Sequence, residues 1–236
     1  DDFKQITEEL QLQGDMLDKT LQWTVGGFYF EQKPAGTQVS RATNYCPALY
    51  TGYCEPGLLY SGVSSKSKAL YGQVMLDLGA VTPPLDGLRV TAGYRYTWDT
   101  VSGFSSNATP LAGAPGMWKC SYDSRIQATL SNIYDACLFS AKLKTKAPTW
   151  VMGLDYKVTD KVMVFGKVSH GYKAGGFNPF AVYDNTRTFN PEKVTSYEIG
   201  FKSDFKLADV PFRLNGSLYQ VEYKEIHRAA SDYNPY

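Results

Sequence analysis

The sequence predicts an all-β protein, an antiparallel transmembrane β-barrel, from three observations. Apolar and polar residues alternate with a period of two in segment after segment. The links between these segments alternate between short and long. Aromatic residues, 14% of the chain, concentrate near the segment ends, as in the girdle that marks a membrane interface. A period of two gives each strand one apolar and one polar face.

The clearest alternation is in residues 88–99, LRVTAGYRYTWD. Its apolar face consists of Leu88, Val90, Ala92, Tyr94, Tyr96 and Trp98. Residues 149–158, 196–205 and 212–219 repeat the pattern, and four fainter segments bring the total to about eight strands. Strands that cross a bilayer at a tilt need about 9 to 11 residues, which is roughly the length of these segments.

The links and the polar faces favour a membrane barrel over a soluble sandwich. Short links such as Thr159–Asp160 alternate with long ones, which run from about Gln32 to Lys68, Thr100 to Lys146 and Lys173 to Lys193. Outer-membrane barrels have short periplasmic turns and long extracellular loops. Charged residues on the polar faces would be costly in a sandwich core but suit a water-filled lumen. The residues predicted to face the lumen are Arg89, Arg95, Asp155, Glu198, Lys202 and Arg213.

The four cysteines form two local pairs, both within long links: Cys46 with Cys54, and Cys120 with Cys137. The chain has no C-x-x-C, and its two histidines lie far from both pairs, so no metal site is expected. Two local disulfides are predicted, which indicates an oxidising compartment. Free thiols or a pairing between the two links are the alternatives.

Other function classes find little support in the sequence. A formal net charge of +1 argues against nucleic-acid binding, and no apolar run is long enough for a membrane-spanning helix. His170 and His227 have no nucleophile at a suggestive spacing, so we expect neither an enzyme nor a cofactor. The stretch GYKAGGFNPF, residues 171–180, lacks the helix that a phosphate-binding loop requires. It is interpreted as a strand leaving the barrel rim, with Tyr172 at the membrane interface.

Aromatic residues of the long links are the candidate ligand-binding residues: Tyr45, Tyr50, Tyr53, Tyr60, Trp118, Tyr122 and Tyr134. Aromatic surfaces suit flat organic ligands, sugars or siderophores, and a disulfide lowers the cost of ordering them. The alternative is that these rings only pack each link against itself.

Several segments resemble, in order, barrel strands of TonB-dependent outer-membrane receptors: TEELQLQG, LQWTVGGFYFEQ, ALYGQVMLDL, LRVTAGYRYTWD, VMVFGKVSHGYKAGGFNP, NPEKVTSYEIGFKSDF and FRLNGSLYQVEYKEI. The resemblance implies a barrel of about 22 strands in the bacterial outer membrane, closed inside by a plug domain. Residues 1–236 are then expected to be about eight strands of that barrel, with the plug domain and the TonB box outside this chain.

The resemblance also implies a function, TonB-energised uptake of a scarce solute such as a ferric siderophore, cobalamin, haem or an oligosaccharide. The implied partners are the lipid bilayer, the protein's own plug domain, the TonB complex through the missing N-terminal region, and a small-molecule substrate. Two alternatives stay open. A complete eight-stranded barrel would pair residues 1–13 with residues 212–222, and a secreted carbohydrate-binding β-sandwich would need no membrane.

Overall fold

The computed structural model describes residues 3–45, 55–111, 113–181 and 186–228, which form almost entirely antiparallel β-structure. In chain order the strands are β1 (Phe3–Met16), β2 (Leu21–Pro34), β3 (Gln38–Tyr45), β4 (Glu55–Asp77), β5 (Leu88–Pro110), β6 (Met117–Cys120), β7 (Gln127–Thr129), β8 (Leu138–Thr159), β9 (Val162–Lys173), β10 (Gly176–Phe177), β11 (Thr188–Phe189), β12 (Glu192–Leu207) and β13 (Val210–Lys224). A short helix, α1 (Ile133–Ala136), and a 3₁₀ turn, Pro83–Leu85, complete the elements.

Eight long strands form one sheet in the order β1-β2-β4-β5-β8-β9-β12-β13, which confirms the predicted number of principal strands. Within the described ranges, β1 pairs only with β2, and β13 pairs only with β12. The alternative of a closed eight-stranded barrel is therefore wrong, because it requires the first and last strands to pair. The sandwich alternative is also disfavoured, since the long strands form one continuous sheet and not two packed ones.

The sheet has two unlike ends, as the alternation of link lengths predicted. Tight turns join β1 to β2, β8 to β9 and β12 to β13, whereas the links after β2, β5 and β9 carry the short strands. The turn after β12 contains only Ala208 and Asp209, with φ angles of 48° and 65°. Positive φ at both central residues is typical of a type I′ turn, whose twist matches that of the flanking strands.

Three strands are longer than the sequence pattern indicated. Both β4 and β5 contain 23 residues and β8 contains 22, so they extend well into the regions that the sequence assigned to links. Pairing between β5 and β8 continues without a shift from Leu88↔Tyr156 to Ser106↔Leu138. Alternation does not reveal these extensions, because serine-rich residues such as 61–67 do not alternate in polarity. Ladder hydrogen bonds to neighbouring strands hold them in the sheet.

The unshifted register gives the sheet two distinct faces, which we call the apolar face (that of Ala92) and the polar face (that of Arg95). One row of the apolar face joins Trp23, Val74, Ala92, Met152 and Val168 across five strands. Exposed fractions on this face are 60% for Met152, 64% for Ile199 and 75% for Leu218. A continuous apolar surface of this kind is rare on soluble monomers and is the surface that lipid covers.

The height of the apolar face fits a bilayer. Leu88 and Trp98 on β5 are separated by about 33 Å along the strand, at about 3.3 Å per residue. At a tilt of about 40° this corresponds to about 25 Å along the membrane normal, the height of the apolar band in outer-membrane barrels. No helix within the described part of the chain is long and apolar enough to cross a membrane.

The buried side chains cluster at the long-link end of the sheet. One cluster contains Leu58, Ala108, Trp118, Cys120, Ala128, Ile133 and Cys137. These residues come from β4, β5 and the link between β5 and β8, which we call the second link. The second link thus has a small hydrophobic core of its own, outside the apolar band.

Candidate functional site

Cation–π contacts and hydrogen bonds connect four strands across the polar face. The guanidinium of Arg95 lies 4.9 Å from the ring centroid of Phe28 and 5.8 Å from that of Tyr71. The Tyr71 hydroxyl donates a hydrogen bond to the Glu9 carboxylate at 2.6 Å. A Cβ atom at Gly26 would lie 2.4 Å from the Tyr71 ring, so the absence of a side chain there lets the tyrosine reach β1. This part of the face presents oriented charged and hydroxyl groups that polar partners can contact.

A second group lies further along the same face. Lys167 Nζ is 2.9 Å from Glu198 Oε2, and Lys202 Nζ lies 5.7 Å from the centroid of the Phe165 ring. Such pairing reduces the cost of holding charges on a surface that is only partly solvated. The Lys167–Glu198 contact joins β9 and β12, so this carboxylate pairs with a basic residue of the adjacent strand.

The predicted lumen-facing residues all share the polar face by register. Arg89 lies opposite Asp155 in the register of β5 and β8, and Arg89 Nη1 lies 3.5 Å from the sulfur of Met75. Near the short-turn end, Arg213 Nε is 2.6 Å from Asp204 Oδ1, a second ion pair between a carboxylate and a basic residue of the neighbouring strand. The face is therefore charged along its whole length, with cations and anions interspersed.

The link between β9 and β12, which we call the third link, folds onto the polar face. The Tyr172 hydroxyl donates a hydrogen bond to the Asp99 carboxylate, which belongs to the polar face of β5. Phe177, 7% exposed, stacks on Phe139 with ring centroids 5.8 Å apart. A Cβ atom at Gly103 would lie 2.4 Å from the Phe177 ring. The expected interfacial position of Tyr172 is thus wrong, because the strand turns inward and not toward the headgroups.

The second link folds onto the opposite face. Tyr60 and Phe104 share the apolar face by register, and both rings contact the Tyr134 ring edge-on, at centroid distances of 5.7 and 6.2 Å. The Ser106 hydroxyl, also on this face, donates a hydrogen bond to the carbonyl of Ile133 at 2.9 Å. The extended strands are thus covered by the second link on the apolar face and by the third link on the polar face.

A disulfide joins Cys120 and Cys137, the predicted partners, with a Cα–Cα distance of 5.2 Å. Both cysteines are 1% exposed. Trp118 beside them is 5% exposed, and its indole N–H donates to the carbonyl of Pro56 at 3.2 Å. Trp118 therefore packs inside the second link. Its ring is buried and supports the link instead of forming a ligand-contacting surface.

An acidic residue of the second link has a strongly shifted pKa. The Arg125 side chain donates two hydrogen bonds to the Asp123 carboxylate, at 2.9 and 2.7 Å, and the backbone N–H of Arg125 donates a third. The side-chain hydrogen bonds, followed by the backbone one, lower the pKa of Asp123 from 3.8 to about 2. This residue pair stabilises the turn that precedes β7.

The two links meet at a buried arginine. The Arg187 guanidinium lies 4.5 Å from the Tyr122 centroid and 4.0 Å from the Phe139 centroid, and the residue is only 4% exposed. Tyr122 belongs to the second link and Arg187 to the third. Desolvated contacts of this kind are worth about 2 kcal/mol, so they join the links into one assembly.

Some predicted residues fall outside the described part of the chain. These are Tyr50, Tyr53, Cys46, Cys54 and the side chain of Tyr45. Both histidines contact residues of other strands. His170 stacks on Trp150 and shares a 3.0 Å hydrogen bond with Thr195, while His227 contacts Glu192.

Several residues of this arrangement are not predicted from the sequence: Phe28, Tyr71, Phe139, Phe165, Lys167 and Arg187. In the sequence, charged residues mark the polar face and aromatic residues mark the links. A usable signal existed, because Gly26 and Gly200 also occupy polar-face positions beside aromatic residues of adjacent strands. Identifying the partner ring requires the register, which the sequence does not specify.

Comparisons with known proteins agree with this geometry. The family described as TonB dependent receptor-like, beta-barrel matches residues 1–236. The ferric yersiniabactin uptake receptor FyuA from Yersinia pestis superposes with a TM-score of 0.62 at 18% identity, over 95% of this chain and 29% of FyuA. The ferric-catecholate import receptor Fiu from E. coli K12 gives TM-scores of 0.58 in its open form and 0.53 in its closed form, at 13% and 15% identity.

Both Fiu structures are matched over 94% of this chain and 31% of their own length. The chain thus spans about a third of the solved receptors that it resembles, and at these identities the likeness concerns the fold. The family match covers the whole chain, and the sheet has the faces and links of an outer-membrane barrel. The chain therefore belongs to the TonB-dependent receptor family, as part of its outer-membrane β-barrel.

Proposed function

We propose that the protein carrying this chain imports a scarce solute across the outer membrane, energised through TonB. The observation that carries the proposal is the inward fold of the third link. Phe177 and Tyr172 attach this link to the polar face, so residues at the mouth and residues along the face form one continuous surface. A solute bound at the mouth would meet that surface next. No catalytic step and no cofactor are part of the proposal.

Residues 1–236 would contribute about eight strands to a larger barrel, with the plug domain and TonB box elsewhere in the protein. Among the described residues the outer edges of β1 and β13 have no partner strand. This supports the larger barrel, because an open edge in lipid leaves backbone groups without hydrogen bonds. The polar face would then surround the plug domain. Arg95 and Glu198 are the residues that we propose as contacts, since each already lies in a cluster with oriented polar groups.

For the solute, we favour a ferric siderophore over cobalamin, haem or an oligosaccharide. FyuA is a ferric yersiniabactin uptake receptor and Fiu is a ferric-catecholate import receptor, which supports this choice. Tyr60 of β4 and Tyr122 and Tyr134 of the second link remain the proposed ligand-contacting residues, with Tyr134 36% exposed. Tyr45, Tyr50 and Tyr53 stay predictions from the sequence.

Uptake by cells that depend on the full-length protein tests the proposal. Cells lacking other receptors should accumulate a radiolabelled ferric siderophore, and accumulation should stop when TonB is deleted or a protonophore is added. Tyr122→Ala and Tyr134→Ala should weaken binding, whereas Tyr156→Ala, on the apolar face, is the matched control. Uptake that persists without TonB would refute the energised mechanism, and uptake of cobalamin, haem or an oligosaccharide alone would refute the siderophore assignment.

A further inference from the structure

The two rings that hold Arg187 occupy equivalent positions beside the Cys120–Cys137 disulfide. Tyr122 comes two residues after Cys120, and Phe139 comes two residues after Cys137. The Cα atoms of the cysteines are 5.2 Å apart, so the disulfide keeps the two ring-bearing segments close together. The Arg187 guanidinium contacts both rings. We call this site, formed by Tyr122 and Phe139, the arginine slot.

The Tyr122 side of the slot is held by the second link. Ser121 donates two hydrogen bonds to Asn107 of β5, from its backbone N–H to the carbonyl at 2.8 Å and from its hydroxyl to the side-chain oxygen at 3.0 Å. The Tyr122 hydroxyl donates to the carbonyl of Ala136 at 3.5 Å, and its ring packs against the buried cluster that contains both cysteines. This side of the slot is therefore part of the core of the second link.

The Phe139 side of the slot belongs to the sheet. Phe139 lies opposite Ser105 on the polar face, and β8 begins directly after Cys137. The Phe177 ring stacks on the Phe139 ring with an interplanar angle of 11°. Phe139 thus receives two side chains of the third link, Phe177 and Arg187. The slot combines one ring of the second link with one ring of the barrel wall.

The backbone of Arg187 connects the slot to a turn of the third link. Its carbonyl accepts a hydrogen bond from the N–H of Asn178 at 2.8 Å. The Asn178 carbonyl accepts one from the N–H of Ala181 at 3.3 Å, and the Asn178 side-chain oxygen accepts one from the N–H of Phe180 at 3.1 Å. The Phe180 side chain is 66% exposed. The slot therefore sets the position of a turn that carries an exposed aromatic ring.

Burial makes the contact between Arg187 and the slot specific. The arginine is only 4% exposed, and a charged group removed from water is costly unless other contacts replace its hydration. A guanidinium is planar, weakly hydrated and able to stack on aromatic rings, which suits a site with two rings. Cation–π contacts are strongest when both groups are desolvated. Loss of the disulfide would let the rings separate and would remove these contacts together.

We propose that the Cys120–Cys137 disulfide positions the third link. The disulfide builds the arginine slot, Arg187 occupies the slot, and the attached turn holds Phe180 where it contacts the imported solute. Arg187 is thus a positioning residue, and Phe180 is the residue that touches the solute. The contact with solute rests on the proposed function, whereas the seating of the third link does not depend on it.

The first test is hydrogen exchange of residues 174–181 in the full-length receptor, purified in detergent without solute. The variants are Arg187→Met, Cys120→Ser/Cys137→Ser and their combination. Arg125→Met is the matched control, because it removes an exposed arginine of the same link. Arg187→Met and the disulfide variant should each raise exchange about 10- to 30-fold, since desolvated cation–π contacts are lost. The control should exchange like the wild-type protein.

The combined variant decides whether the disulfide acts through the arginine. It should exchange no faster than Arg187→Met, because that variant has already lost the contacts that the disulfide supports. Effects that multiply, or unchanged exchange in the disulfide variant, would overturn the proposal. If the disulfide variant fails to fold, Tyr122→Leu removes one side of the slot and should give the same rise, and unchanged exchange there would overturn the proposal as well.

The second test measures binding of a ferric-catecholate and a ferric-hydroxamate complex. Arg187→Met should weaken binding about 10-fold and raise exchange, whereas Phe180→Ala should weaken binding as much and leave exchange unchanged, because the turn is held by backbone groups. Equal binding by Phe180→Ala and a wild-type protein that binds would overturn the solute contact. A wild-type protein that binds neither complex would refute the siderophore assignment, and the exchange experiment would still judge the seating.

Discussion

Replacing Ala92 by arginine is the sharpest test of which face meets lipid. Ala92 lies between Val74 and Met152 on the apolar face, about 3 Å along the membrane normal from the middle of the band between Leu88 and Trp98. An arginine at the midplane of an outer-membrane barrel costs about 2 to 4 kcal/mol in folding free energy. The folding equilibrium of Ala92→Arg should therefore fall by about 30- to 900-fold.

Thr91→Arg is the matched control, because the residue is adjacent in sequence but lies on the polar face. Thr91 pairs with Met75 and Gly153, and the same row continues to Lys167 and Glu198. The missing side chain at Gly153 leaves room for the arginine, whose guanidinium can stay in the lumen. We expect a cost of less than about 1 kcal/mol, the difference between a solvated charge and one in lipid.

The assay is guanidinium unfolding of the full-length receptor reconstituted into bilayers, with Ala92→Leu as a variant that keeps the face apolar. Ala92→Leu should unfold at nearly the same midpoint as the wild-type protein. Equal costs for the two arginine variants, or a larger cost for Thr91→Arg, would refute the assignment of the faces.

Three further changes address the links. Cys120→Ser/Cys137→Ser should destabilise the second link by about 3 kcal/mol, as measured by proteolysis, and should weaken ligand binding. The thermal transition of the barrel, followed by circular dichroism, should stay unchanged. A lowered barrel transition would contradict this. Gly103→Val should displace the third link, because the new Cβ would overlap the Phe177 ring. Hydrogen exchange in residues 174–181 should then rise. Unchanged exchange would argue against the packing of Phe177 on the polar face. The pKa of Asp123 is lowered in the folded protein, so its contribution to stability is full above its unfolded pKa near 4 and disappears as pH falls through about 2. In Arg125→Ala, carbon-13 NMR should show the pKa of Asp123 rising toward 3.8. An unchanged pKa would exclude the arginine as the cause.

The sequence by itself determined the class of fold and its two faces. Alternation is a local property, because neighbouring side chains of a strand point to opposite sides whatever the strand pairs with. Residues 88–99 therefore specified which side chains share the face of Ala92 and which share that of Arg95, and the structure retains the assignment. The unequal links were equally visible, and so was the Cys120–Cys137 pair, whose members are separated by only 17 positions.

The tertiary structure decided everything that depends on distant residues. Trp118 and its acceptor Pro56 are 62 positions apart, and Tyr172 and Asp99 are 73 positions apart, so no local pattern announces either contact. The tertiary structure also decides the lengths of β4 and β5, because serine-rich segments become strands only when neighbouring strands complete their hydrogen bonds.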